Sequence, residues 1–171
     1  MIPITGSNIP RYQSHPASSH GRFFRHATTP AVIAASSTTA RQTFHVGGPL
    51  GGILPASRLD TVFDFDELAA EGCMVGHGSI CAFDDHTDMR ALAVHLLHFG
   101  AHESCGKCFP CRIGLRRAHD MFAADAPVDR ERFEQLLETL ELGSLCAHGS
   151  GMPAPMRSLL AHFPDELGLT S

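Results

Sequence analysis

The chain has 171 residues, 43% of them hydrophobic and 18% charged, with a net charge of -5. That is room for one ordinary domain with a core, and it excludes a wholly disordered protein. The acidic balance argues against a duplex nucleic-acid binder, and no apolar stretch approaches the eighteen residues of a membrane span.

Charge divides the chain. Residues 1–59 carry five Arg (Arg11, Arg22, Arg25, Arg41 and Arg58) and no acid, whereas residues 60–171 carry all eighteen acids against eight bases. Sixteen of the first 46 residues are Ser, Thr or Pro, and Pro3, Pro10, Pro16 and Pro30 interrupt any helix. Residues 1–42 are therefore expected to form a disordered tail. The composition also resembles an organellar transit peptide, but the prolines spoil the amphipathic helix of such a peptide, and a secretory signal is absent. We therefore expect a cytoplasmic, reducing setting in which structural disulfides are disfavoured.

From Phe44 to Pro55, four glycines and two prolines among apolar residues predict short extended pieces joined by tight turns. The run lacks the Lys-Ser/Thr of a phosphate-binding loop. Asp64 is placed to cap a short helix from Phe65 to Glu71, ended by Gly72. Met74 to Phe83 reads as a strand kinked at Gly76 and Gly78.

Helical periodicity follows. Met89, Leu92, Ala93 and Leu96 predict an amphipathic helix from about Asp88 to His102. The spacing recurs at Leu115, Ala118 and Phe122, then at Phe133, Leu136, Leu137 and Leu140, and again at Met156, Leu159, Leu160 and Phe163. The expected fold class is mainly α. A small helical bundle over residues 87–168 follows a sheet-like segment over residues 43–86.

Four of the six cysteines form a pattern: Cys105, Cys108 and Cys111 at steps of three, then Cys146. Three thiolates so spaced on a tight loop, closed by a distant fourth, suit a four-iron, four-sulfur cluster. Gly106 and Pro110 favour a non-helical loop around the first three, and Gly143, Gly149 and Gly151 favour another around Cys146. A helix starting near Arg112, with Lys107 and Arg112, would set positive charge beside the thiolates. A structural zinc site with the same four Cys is the alternative; it would make the chain a protein-interaction module. A thioredoxin-like pair lacks its βαβ context.

The remaining candidates read as structural. Cys73 and Cys81 are expected to be buried as small hydrophobes. His95, His98 and His102 share a helix face with Glu103 following, a spacing able to chelate a divalent ion but read as a solvated or partner-facing surface. His148, two residues beyond Cys146, is a candidate hydrogen-bond donor to a cluster sulfur. Ser104 and Ser144 have no base beside them and read as loop hydrogen-bonders, so no catalytic residue is assigned.

The segment Glu103-Ser104-Cys105-Gly106-Lys107-Cys108-Phe109-Pro110-Cys111-Arg112-Ile113-Gly114 resembles the iron–sulfur signature of the flavoprotein subunit of respiratory complex I. Its relatives include the diaphorase subunits of NAD-reducing hydrogenases and the beta subunits of NAD-dependent formate dehydrogenases. Gly47 to Gly52 with Leu59-Asp60-Thr61 resembles the end of the family's β-grasp domain, and Gly143 to Ala147 its fourth-ligand loop. Ala161 to Glu166 resembles the formate dehydrogenase branch.

The resemblance spans roughly Thr43 to Leu167 and implies that Cys105, Cys108, Cys111 and Cys146 ligate a 4Fe-4S cluster exchanging electrons with flavin. Residues 1–42 match no part of the family's upstream FMN and NADH domain. FMN and NAD are accordingly expected only from another chain. The expected partners are the other subunits of an NAD-linked oxidoreductase complex, including a separate flavin-bearing chain. A truncated gene product is the other expectation.

Overall fold

The computed structural model describes residues 43–84 and 86–170. The expected tail at 1–42 lies outside the described residues. Among those described, helices dominate and strands are few and short, in keeping with a mainly α chain.

Strands β1 (Thr43–Val46), β2 (Gly52–Leu54) and β3 (Ile80–Phe83) form an antiparallel sheet in the order β2-β1-β3. Phe44 faces Leu54 on one side and Ala82 on the other. The β1–β2 turn requires left-handed backbone at Gly47 and Gly48 (φ 87° and 84°), which glycine adopts without steric cost.

Helix α1 (Phe65–Ala70) is capped by Asp64, whose side chain accepts from the Asp66 amide at 3.2 Å, as its sequence position predicts. The expected strand over Met74–Phe83 is shorter than anticipated. Gly76 and Gly78 take φ of 51° and 80°, so they turn the chain, and pairing begins only at Ile80.

Helix α2 (Met89–His102) starts at the Asp88 cap, which accepts from the Ala91 amide at 3.0 Å. A wide turn over Pro110–Gly114, with hydrogen bonds of π type, runs directly into α3 (Leu115–Ala123). Helix α4 (Arg130–Gly143) is capped by Asp129. Helices α5 (Ala147–Gly151) and α6 (Pro153–His162) follow. The periodicity does not reveal α5, whose glycine-rich sequence carries no apolar stripe. A two-residue parallel pair, β4 (Val128–Asp129) with β5 (Leu169–Thr170), joins the chain end to the start of α4.

One large core joins the helices. Leu96, Leu97, Leu115, Phe133, Leu137, Leu140, Met152, Met156 and Leu159 are buried in it, and the sheet contributes Ile53, Cys81 and Phe83. Phe122 and Phe133 meet edge to face at 4.8 Å between centroids. A second cluster of Phe44, Val46, Leu54, Phe63, Leu68 and Cys73 lies between the other sheet face and α1. Cys73 and Cys81 are thus buried among apolar side chains, as expected.

Candidate metal centre

The four patterned cysteines come from three local environments. Cys105 and Cys108 lie on the loop after α2, Cys111 lies inside the wide turn, and Cys146 immediately precedes α5. The expected non-helical loop therefore holds for Cys105 and Cys108 but not for Cys111. Pro110 opens the helical turn instead of breaking it, because the first turn leaves amides unpaired and a missing N–H is harmless there. The helical backbone carries Cys111 into the interior, where it is 2% exposed, while Cys105 and Cys146 stay exposed.

The sequence-distant fourth member joins the others in space. Backbone hydrogen bonds at Leu145 and Cys111 hold the Cys108 thiol below its ordinary range, since an amide proton favours the thiolate. Burial pushes the Cys111 thiol up; a hydrogen bond from Ser104 opposes this, and like charge at Cys108 and Cys146 adds to it. Cys108, Cys111 and Cys146 therefore share one neighbourhood. The Leu145 backbone, on the α4–α5 loop, reaches the α2–α3 loop directly.

Two serines complete the surroundings. Ser104 Oγ stands 3.2 Å from Cys111 Sγ and accepts from the Gly106 amide at 3.3 Å. Ser144 Oγ is buried and has no partner in the protein. Gly149 makes room for it: a Cβ there would run into the Ser144 hydroxyl and lie 2.9 Å from Cys111 Cβ. Ser104 is the loop hydrogen-bonder that the sequence suggests, whereas Ser144 makes no such bond and lies with Cys111 at the gap left by Gly149; a Ser within two residues of a patterned Cys in both segments is the available signal.

The residues fit a cysteine-held iron–sulfur group. All six thiols are free, the four patterned ones lie on the 105–111 segment and at the start of α5, and an orphaned hydroxyl points to an acceptor that the protein itself does not supply. Among the described residues no three His, Cys, Asp or Glu side chains stand close enough to hold a single ion.

The histidine candidates are placed elsewhere. His148 Nε2 donates to the Gly100 carbonyl at 2.9 Å, which ties α5 to α2 and commits this ring nitrogen to the backbone. His98 stacks near His102 and His119 on the exposed α2–α3 face, with ring centroids 6.3 and 5.6 Å away.

Residues 91–169 match the family model described as the NADH-ubiquinone oxidoreductase-F iron-sulfur binding region. Over these residues the chain carries the C-terminal iron–sulfur region of the NADH dehydrogenase flavoprotein family. It is 35% identical to an NADH-quinone oxidoreductase component of Rhizobium meliloti, over 71% of this chain and 34% of the relative. It is 33% identical to the NADP-reducing hydrogenase component HndC of Solidesulfovibrio fructosivorans, over 74% of this chain and 27% of the relative. A chain of an NAD+-reducing NiFe-hydrogenase in the H2-reduced state superposes with a TM-score of 0.74 at 33% identity, covering 86% of this chain and 26% of that one. The chain thus spans about a third or less of the length of these relatives.

Proposed function

We propose that this chain is an electron-transfer module in which Cys105, Cys108, Cys111 and Cys146 ligate one 4Fe-4S cluster. The observation that carries the reading is the convergence of Cys146, thirty-five residues beyond Cys111, on the Cys108–Cys111 turn within a region matching an iron–sulfur family. Such a cluster, when bound, takes up and releases single electrons. The chain's own residues supply ligation, burial and hydrogen bonds. The match of residues 91–169 to an iron–sulfur family favours the cluster over the zinc alternative.

On this reading residues 87–168 form the cluster-binding domain and residues 43–86 a residual β-grasp-like segment. FMN and NAD have no assigned ligands among the described residues, and the proposed partners are the remaining subunits of an NAD-linked oxidoreductase. Phe109, Leu142 and Leu145, all at least 74% exposed beside the cysteine loops, support a partner surface there. Within the family, Ala161 to Glu166 favours the formate dehydrogenase branch. Free thiols favour the cytoplasm, and no helix among the described residues is long and apolar enough to cross a membrane.

The test is anaerobic expression of the full chain with iron, sulfide and zinc analysis and an electron paramagnetic resonance spectrum after dithionite reduction. Stoichiometric iron and sulfide with a reduced-cluster signal, lost in Cys108→Ser but kept in Cys73→Ser, is the expected result. One zinc without a signal overturns it.

A further inference from the structure

We propose that Ser144 and Ser104 are positioning residues whose hydroxyls donate hydrogen bonds to the Cys111 corner of the metal centre and thereby raise its reduction potential. The inference rests on the cluster reading above and goes beyond it by assigning donors to one ligand.

The four cysteine sulfurs differ in what can solvate them. Cys105 and Cys146 are exposed, so water reaches them. Cys108 has backbone hydrogen bonds at Leu145 and Cys111. Cys111 is 2% exposed, so water is kept from it, and it is approached by the side chain of Ser104. A buried anionic sulfur without donors would be costly, and its remaining donors are side chains.

Ser104 supplies one donor. Its oxygen already accepts from the Gly106 amide, which leaves the hydroxyl proton free for Cys111 Sγ at 3.2 Å; a metal-bound thiolate has no proton to give, so the direction is fixed. Ser144 supplies the other. Its Oγ is buried with no protein acceptor, and buried hydroxyls are nearly always paired. It shares with Cys111 Cβ the cradle left open by the missing side chain of Gly149. The sulfur-rich group at Cys111 is the acceptor this hydroxyl lacks. Both bonds strengthen as the acceptor becomes more negative, so they favour the reduced state.

The experiment compares anaerobic full-length wild type with Ser144→Ala, Ser104→Ala, the double variant and Ser150→Ala. Ser150 is the control because its hydroxyl donates to the Cys146 carbonyl and not toward Cys111. Midpoint potentials come from redox titration followed by electron paramagnetic resonance, and resonance Raman spectra are recorded in water and deuterium oxide. The expected result is a potential shifted negative in each single variant, further in the double variant, and unchanged in Ser150→Ala. The deuterium shift of the Fe–S stretching bands shrinks in parallel.

Iron-replete Ser144→Ala with wild-type potential and deuterium shift overturns the proposal while leaving the cluster reading intact. Iron-free wild type overturns both. Should Ser144→Ala lose its iron, Ser104→Ala carries the test, and a wild-type potential in that variant overturns the proposal.

Discussion

The backbone amide of Ile53, in β2, donates to the hydroxyl of Ser158, in α6, at 2.7 Å, and that hydroxyl in turn donates to the Pro155 carbonyl at 2.8 Å. The bond is buried and spans 105 residues of sequence, fastening the sheet to the bundle at the point where Ile53 enters the helical core. Replacing Ser158 with Ala leaves the strand amide without its acceptor in a place water does not reach. The expected cost is about 1–3 kcal/mol. Chemical denaturation of Ser158→Ala against wild type measures it, and a loss well below that range would show that the amide finds another acceptor.

Arg90 predicts a second stability effect. From the first turn of α2 its guanidinium donates to the carbonyls of Phe122, Ala124, Ala126 and Leu167, at 3.2, 3.0, 2.7 and 2.7 Å, and its charge lies 5.7 Å from the centre of the Phe122 ring. One planar fork thus collects the end of α3, the loop before β4 and the C-terminal segment. Lysine cannot serve four acceptors in that geometry. Arg90→Lys is expected to cost about 1.5–3 kcal/mol, with earlier amide exchange at Val128 and Leu169 than elsewhere. Uniform exchange across the chain would contradict the localised role.

What the sequence discloses and what it hides divide along physical lines. The stripes Met89–Leu96 and Phe133–Leu140 disclose α2 and α4 because 3.6-residue periodicity directly reports a buried face. Asp64 discloses a helix start because capping is local chemistry. Helix α5 stays hidden because Gly149 and Gly151 are poor helix formers held there by tertiary contacts. The same is true of Cys111, whose preceding proline signals a break in isolation but opens a helical turn in context. Arg90 and Ser158 act on carbonyls and amides far along the chain, and no local pattern encodes such partners. The cysteine spacing identifies the candidate ligands, whereas the serines around Cys111 need the folded geometry.

His45 gives the fold a pH dependence. It is 3% exposed in β1, its Nε2 has no partner, and burial, with a smaller contribution from His77, lowers its pKa from 6.5 to about 4 against an opposing backbone hydrogen bond at Gly48. The unfolded chain therefore binds a proton between these two values that the folded chain rejects. Stability from this group is present above about pH 6.5 and declines as pH falls toward 4. Between pH 7 and pH 5 the loss is about 2 kcal/mol. Urea denaturation at both pH values measures it. His45→Phe, which cannot titrate, should lose that much less over the same interval, and an equal loss in both proteins would assign the dependence to other groups.

Gly149 and Gly151 lie two residues apart in α5, and alanine at the two positions is expected to act with opposite sign. At Gly151 a Cβ would meet only the Leu50 side chain, at 3.4 Å, an ordinary contact. Gly151→Ala should therefore stabilise by up to about 1 kcal/mol through helix propensity alone. At Gly149 the same Cβ would collide with Ser144 and lie 2.9 Å from Cys111 Cβ. The α4–α5 loop would have to move away from the turn that carries Cys111, at a cost of about 1–3 kcal/mol. Displacing that loop also shifts Cys146 relative to Cys108 and Cys111, so bound iron should fall in Gly149→Ala and remain at the wild-type level in Gly151→Ala. Thermal melts with iron analysis on the same anaerobic samples separate the two effects. Equal iron in both variants would mean that the loop spacing at Gly149 does not control how the four cysteines come together.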